Sequence, residues 1–112
     1  MDKKIRIAVD AMGGDGSPKK IIDGIYDHNK KTKNVQYLIF GDKNIISKYI
    51  PKSLNKDCFV IIDTKDRVEA DDTPLGAAKR GKKTSMWLSI ESVKEKKADI
   101  VISAGNTGAL LV

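Results

Sequence analysis

The sequence predicts an α/β fold built on a mostly parallel β-sheet. Short apolar, β-branched runs alternate along the chain with segments of helical periodicity, a pattern typical of parallel α/β sheets. Two predicted strands are followed at once by glycine-bearing loops, at residues 10–16 and 103–108. Because such sheets bind ligands outside the carboxyl ends of their strands, both loops are expected at the functional edge.

The first part of the chain is predicted to contain three strands and two helices. The strands are expected at residues 4–9, 35–40 and 58–62. Ser17 as N-cap and Pro18 as first residue indicate the start of the first helix. Asp42 is expected to cap a short helix that runs through Ile50.

The second part is predicted to hold two helices and a fourth strand. Residues 63–72 show no period and are expected to form an exposed loop. A cap followed by Pro74 indicates a short helix that Gly81 ends, and Thr84 is expected to cap a longer one. Residues 100–103 have the pattern of a strand. The buried face of the longer helix is expected to consist of Met86, Trp87, Ile90 and Val93.

The last four residues, 109–112, have the pattern of an apolar helix of about one turn, too short to stand alone. We therefore expect residues 1–112 to be the amino-terminal part of a single α/β catalytic domain that is truncated at its carboxyl end. Such a piece is expected to be inactive alone, because part of a cleft cannot preorganise a transition state.

Composition excludes several classes of protein. Of 21 basic residues 18 are lysine, and only 5% of all residues are aromatic. The chain therefore has few of the arginines that read nucleic-acid bases and few of the aromatic side chains on which bases stack. We expect no nucleic-acid partner. The main interpretation of the net charge of +6 is a solvated surface of charged side chains. The second interpretation is a surface that attracts an acidic partner or an anionic membrane.

The single cysteine and single histidine also limit the chemistry. Cys58 excludes an internal disulfide, and one Cys with one His cannot supply the usual zinc ligand set. Cys58 is expected to be an inert thiol in a buried strand, and His28 a surface residue or helix C-cap. The chain enters its first strand without an apolar signal region, so a cytoplasmic location is expected.

The second glycine-bearing loop has the residue types of an anion site. Gly105 and Gly108 permit positive φ, Asn106 tolerates the left-handed region, and Thr107 stands at the start of a predicted helix. The hydroxyls of Ser103 and Thr107 offer further donors. The alternative is an ordinary strand-to-helix turn with a good cap.

The first loop combines glycines with carboxylates. Gly13 and Gly14 permit close backbone approach, while Asp10 and Asp15 stand at the strand end. Two carboxylates repel a bare phosphate, so they are expected to fix the loop backbone, orient a lysine or hold a metal, and no metal site is assigned. The Walker A and dinucleotide-binding patterns are both missing from the sequence, and we expect no cofactor.

Three segments of the chain resemble the PlsX family of bacterial phosphate acyltransferases. They are residues 7–15 (IAVDAMGGD), 72–86 (DTPLGAAKRGKKTSM) and 103–110 (SAGNTGAL), and they follow one another in the family's order. The chain departs from the family at Gly16, where members usually have His.

This resemblance implies transfer of a long-chain acyl group from acyl carrier protein to inorganic phosphate, giving acyl phosphate for phospholipid synthesis. It also implies a three-layer α/β/α fold similar to the isocitrate dehydrogenase and phosphate acetyltransferase group, a homodimer, and peripheral association with the cytoplasmic membrane. Two other readings stay open: a non-catalytic basic module that docks on carrier protein or membrane, and a nucleotide-dependent dehydrogenase-like enzyme.

The site residues follow from the resemblance and from the chemistry of the reaction. Phosphate is anionic at neutral pH and a thiol leaving group has a pKa of about 8.5, so positioning and oxyanion stabilisation are expected to dominate. The candidate catalytic residues are Asn106, Thr107, Lys82 and Lys83, the two lysines otherwise being part of a solvated basic cluster. The candidate substrate-binding residues are Asp10, Gly13, Gly14, Ser103, Gly105 and Gly108.

Overall fold

Four parallel strands form the sheet. The computed structural model describes residues 4–13, 16–64 and 84–103. Its strands are β1 (Ile5–Asp10), β2 (Val35–Gly41), β3 (Phe59–Asp63) and β4 (Ile100–Ser103). They lie in the order β3-β2-β1-β4, and each neighbouring pair is parallel. The predicted parallel sheet is confirmed, and every strand boundary falls within one residue of the expected one.

Helices cover both faces of this sheet. They are α1 (Lys19–Lys31), α2 (Lys43–Tyr49) and α3 (Ser85–Lys94), and a short 3-10 helix at Lys56–Cys58 precedes β3. Ile22 of α1 and Ile46 of α2 belong to the core on one face, whereas Leu88 of α3 packs against the core on the other. Alternate residues of β1 enter the two cores, as the period of a strand requires. The fold is therefore the three-layer α/β/α arrangement that the resemblance implied.

Three of the predicted helix caps lie within the described residues, and two of these are confirmed. The Asp42 side chain accepts a hydrogen bond from the Asn44 N–H at 3.0 Å, and Thr84 Oγ1 accepts one from the Trp87 N–H at 3.1 Å. The Ser17 cap is wrong, because α1 begins at Lys19 with Pro18 at its N-cap and has no side-chain cap. The Ser17 hydroxyl donates instead to the carbonyl of Gly13 in the preceding loop.

The expected buried face of α3 is also wrong at Trp87. This side chain is 37% exposed, and its ring N–H donates to Glu91 Oε2 at 2.7 Å. The residues of α3 that are buried are Ser85, Met86, Ser89 and Ser92. Periodicity of apolar residues could not find this face, since three of its four members are serines.

Several sequence predictions fall outside the described residues. They are residues 65–72 of the loop predicted at 63–72, the cap and short helix that end at Gly81, and the segment after Ser103. The first two residues of that predicted loop differ from the expectation, because Asp63 is the last residue of β3 and Thr64 is buried. Within the described ranges, no helix is both long and apolar enough to cross a bilayer.

Gly41, the last residue of β2, should not tolerate a side chain. A β-carbon there would lie 2.7 Å from both Met12 Cγ and Ile46 Cδ1, and these two neighbours are buried. We expect Gly41→Ala to lower the free energy of unfolding by about 1–3 kcal/mol through overpacking. Urea denaturation of the purified variant measures the change.

Gly24 provides the matched control, because a β-carbon at this helical position would meet nothing within 4 Å. Gly24→Ala should raise the free energy of unfolding by about 0.5–1 kcal/mol, since alanine loses less backbone entropy in a helix. If Gly41→Ala proved as stable as the parent, the tight packing at the end of β2 would be contradicted.

Candidate functional site

The carboxyl ends of β1 and β4 bring two of the predicted site residues together. Asp10 is the last residue of β1, Ser103 is the last of β4, and the two are partners in the parallel register. The Ser103 hydroxyl donates to Asp10 Oδ2 at 2.8 Å. Gly13 follows Asp10 in the same loop. The remaining candidates lie outside the described residues: Gly14, Lys82, Lys83, Gly105, Asn106, Thr107 and Gly108.

The Asp10 carboxylate is buried, with only 1% of the residue exposed. Its other oxygen, Oδ1, accepts hydrogen bonds from the Ser85 hydroxyl and, at 3.2 Å, from the Met12 N–H. A buried carboxylate is costly unless donors surround it, and three donors do so here. We call Asp10, Ser85 and Ser103 the Asp10 cluster.

The Asp10 cluster restricts what its serine hydroxyls can do. A serine hydroxyl has one proton, and in both serines this proton is donated to the carboxylate. Ser103 therefore cannot donate to a bound anion while its bond to Asp10 is formed. The expectation that Ser103 offers a donor to phosphate requires that this bond be broken first.

Ser85 was missed by the sequence analysis. It is the first residue of α3, it is 0% exposed, and 75 positions separate it from Asp10 in the chain. The available signal was its place in the segment 72–86 that resembles the PlsX family. The periodicity of α3 pointed to Met86 instead, because hydrophobic patterning gives no weight to a buried serine.

The loop after β1 is shaped by local hydrogen bonds. The Asp10 side chain accepts from the N–H two residues later, which is the geometry of an Asx turn. Gly16 has a φ of +80° and lies in the left-handed region that favours glycine. Glycine at this position therefore suits the backbone conformation.

His28 and Cys58 take no part in the Asp10 cluster. His28 is exposed on α1, as expected of a surface residue, and its Nδ1 lies 2.6 Å from the hydroxyl of Tyr37. Burial raises the pKa of the Tyr37 phenol.

Cys58 is half-buried and stands just before β3, at the opposite edge of the sheet, rather than inside the strand. Its thiol donates to the Asn55 carbonyl. Burial raises the pKa of this thiol, which disfavours the reactive thiolate. Among the described residues, no group of three His, Cys, Asp or Glu side chains is arranged to hold a metal ion.

The architecture by itself defines a class of protein. A parallel α/β sheet with Asp10 and Ser103 at its carboxyl edge is an α/β protein of the open-sheet type, in which this edge is the usual place for a ligand. Residues 5–112 match the fatty acid synthesis protein family, and the chain belongs to this family. The resemblance to bacterial phosphate acyltransferases is confirmed.

Three relatives show how far the similarity extends. The chain is 67% identical over 112 residues to the phosphate acyltransferase of Pelagibacter ubique (strain HTCC1062), covering 100% of this chain and 33% of the relative. It is 47% identical over 107 residues to that of Listeria monocytogenes serotype 4a (strain HCC23), covering 96% and 31%. It is 45% identical over 106 residues to that of Streptococcus pyogenes serotype M5 (strain Manfredo), covering 95% and 31%. The chain thus spans about a third of the length of these relatives.

Proposed function

We propose that the protein to which this chain belongs transfers a long-chain acyl group from acyl carrier protein to inorganic phosphate. The product is acyl phosphate for phospholipid synthesis. The observation that carries this proposal is the 67% identity, over the whole chain, to a protein named phosphate acyltransferase. The three segments that resemble the PlsX family all lie within the matched region.

The proposed reaction makes modest demands on acid and base groups. A phosphate oxygen attacks the thioester carbonyl carbon, a C–O bond forms, and the C–S bond then breaks. The electron pair of that bond leaves with sulfur, which takes up a proton as the carrier thiol. Phosphate is already an anion and a thiolate is a good leaving group, so the protein's main tasks are to position phosphate and to stabilise the oxyanion.

The proposed site uses the two segments that adjoin the Asp10 cluster in sequence. The loop that starts after Ser103 is proposed to contact phosphate through Gly105, Asn106, Thr107 and Gly108. Lys82 and Lys83, which precede the cap Thr84, are proposed to neutralise charge. Asp10 is assigned a supporting role, because its carboxylate is buried and both of its oxygens already accept hydrogen bonds. With Gly13 and Gly14, it would set the shape of the first loop.

The proposed partners follow from the same reaction. Acyl carrier protein supplies the acyl group, and its acidic surface suits a segment with a net charge of +6. A homodimer and peripheral membrane association, which the resemblance implied, are part of the proposal, as is a cytoplasmic location. No nucleic acid and no cofactor are included.

The direct test is acyl phosphate formation by the purified protein in the full length at which it is encoded. Long-chain acyl carrier protein and inorganic phosphate are supplied, and acyl phosphate is trapped with hydroxylamine as the hydroxamate. We expect product that depends on both substrates. Because hydroxylamine also cleaves the thioester directly, hydroxamate is counted only above the protein-free control. Hydroxamate above that control without phosphate, or none above it with phosphate, would contradict the proposed function.

Substitution of Gly105 tests the proposed phosphate loop. In the full-length protein, Gly105→Val should raise the phosphate KM or lower kcat far more than it lowers the melting temperature, because a β-branched side chain restricts the backbone and occupies space beside the proposed anion. Thr107→Ala is the milder companion, since it removes one hydroxyl and leaves the backbone unchanged. If the loop only connects two elements, Gly105→Val should cost ~0.5–3 kcal/mol of stability while its folded fraction keeps normal phosphate kinetics.

Salt dependence tests the proposed docking of the acidic carrier protein. Exposed lysines should steer the encounter, so the association rate constant should fall as ionic strength rises. Stopped-flow association of acyl carrier protein at low and high salt measures it. A rate constant that does not change with salt would remove this segment from the docking surface.

A further inference from the structure

We propose that Ser85 is a positioning residue for phosphate use and that it acts through Asp10. This inference rests on the proposed acyl transfer to phosphate. It assigns a role to a residue that lies outside both glycine-bearing loops. Ser85 holds the start of α3 against the end of β1, and thereby fixes the edge of the sheet at Ser103, the residue that precedes the proposed phosphate loop.

Three elements converge on one carboxylate. Asp10 ends β1, Ser103 ends β4, and Ser85 begins α3. Ser85 bonds to Oδ1 of Asp10 and Ser103 bonds to Oδ2. The start of α3 and the end of β4 are therefore held in place by opposite oxygens of the same side chain.

The Asp10 carboxylate and the Ser85 hydroxyl are both buried. Ser85 is 0% exposed and Asp10 is 1% exposed, so bulk water does not reach the carboxylate to replace a lost donor. Removal of the Ser85 hydroxyl would leave Oδ1 with the longer Met12 N–H bond at 3.2 Å as its remaining described donor. A buried anion that lacks a donor favours rearrangement of its surroundings, because unsatisfied charge is costly there.

A rearrangement around Asp10 would affect the position of the proposed phosphate loop. The residue after Ser103 begins the loop that is proposed to contact phosphate. A shift of the Asp10 carboxylate moves the hydrogen-bonding partner of Ser103, and with it the point at which that loop starts. Small displacements of a positioned reactant cause large losses of rate, so kinetics with phosphate should report the shift.

The experiment compares two serines of the same helix in the full-length protein. Ser85→Ala removes the hydroxyl that bonds to Asp10. Ser89→Ala is the matched control, because Ser89 is also 0% exposed but its hydroxyl donates to the carbonyl of Met86 within α3. Acyl phosphate formation is measured with phosphate varied and then with acyl carrier protein varied, and rates are normalised to the folded fraction from a thermal melt.

We expect Ser85→Ala to lower kcat/KM for phosphate roughly tenfold or more, with the KM for acyl carrier protein unchanged. Ser89→Ala should keep both constants at the level of the parent. A purely structural role of Ser85 would lower the melting temperature of Ser85→Ala and leave its normalised phosphate kinetics equal to those of Ser89→Ala and the parent. That result would overturn the proposal.

A double-variant comparison tests the route through Asp10. If Ser85 acts through that carboxylate, Asp10→Asn with Ser85→Ala should lose little more activity than Asp10→Asn alone. A combined loss equal to the product of the two single losses would overturn the proposed route. The two possible failures are distinguishable. If the unaltered protein forms no acyl phosphate, the proposed function is refuted, and this inference with it. If the unaltered protein turns over normally and Ser85→Ala has the same kinetics as Ser89→Ala, only this inference is refuted.

Discussion

The constraint on which this structure depends is the burial of one carboxylate at the end of the central strand. Asp10 follows five strand residues of β1, which lies between β2 and β4 in the sheet, so its side chain is enclosed by neighbours. An enclosed anion requires donors, and the donors come from elements that are far apart in sequence. The hydrogen bonds of this group thus tie the last strand and the helix before it to the first strand.

The same constraint accounts for the unusual face of α3. Ser85 must face the sheet to reach Asp10, and residues one and two turns later on that side of the helix are Ser89 and Ser92. Their hydroxyls donate to carbonyls of the preceding turn, at Met86 and Ser89, so they are buried without unsatisfied donors. Trp87 is turned away from this face, and for that reason it is exposed although it is hydrophobic.

The sequence was sufficient to predict the fold, because alternating strand and helix patterns carry that information locally. Strand bounds and the caps at Asp42 and Thr84 depend on neighbouring residues, and they were predicted correctly. The cap at Ser17 was wrong because α1 begins at Lys19 with Pro18 at its N-cap, which leaves Ser17 one residue too early to cap the helix. The partner of Asp10 was missed because the contact joins residues 75 positions apart, and no local pattern reports it.

Residues 10–12, at the end of β1, are held from both neighbouring strands, and this explains how they can serve as a fixed reference for the edge of the sheet. On the β2 side, the Ala11 N–H donates to the Phe40 carbonyl at 3.0 Å, and the Met12 side chain packs over Gly41. On the β4 side, Asp10 accepts the hydroxyl of Ser103. Because residues 10–12 are bonded to both neighbouring strands, this part of the chain has little freedom to move. Groups that must be positioned within a fraction of an ångström are better supported by such a segment than by one held only at its two ends.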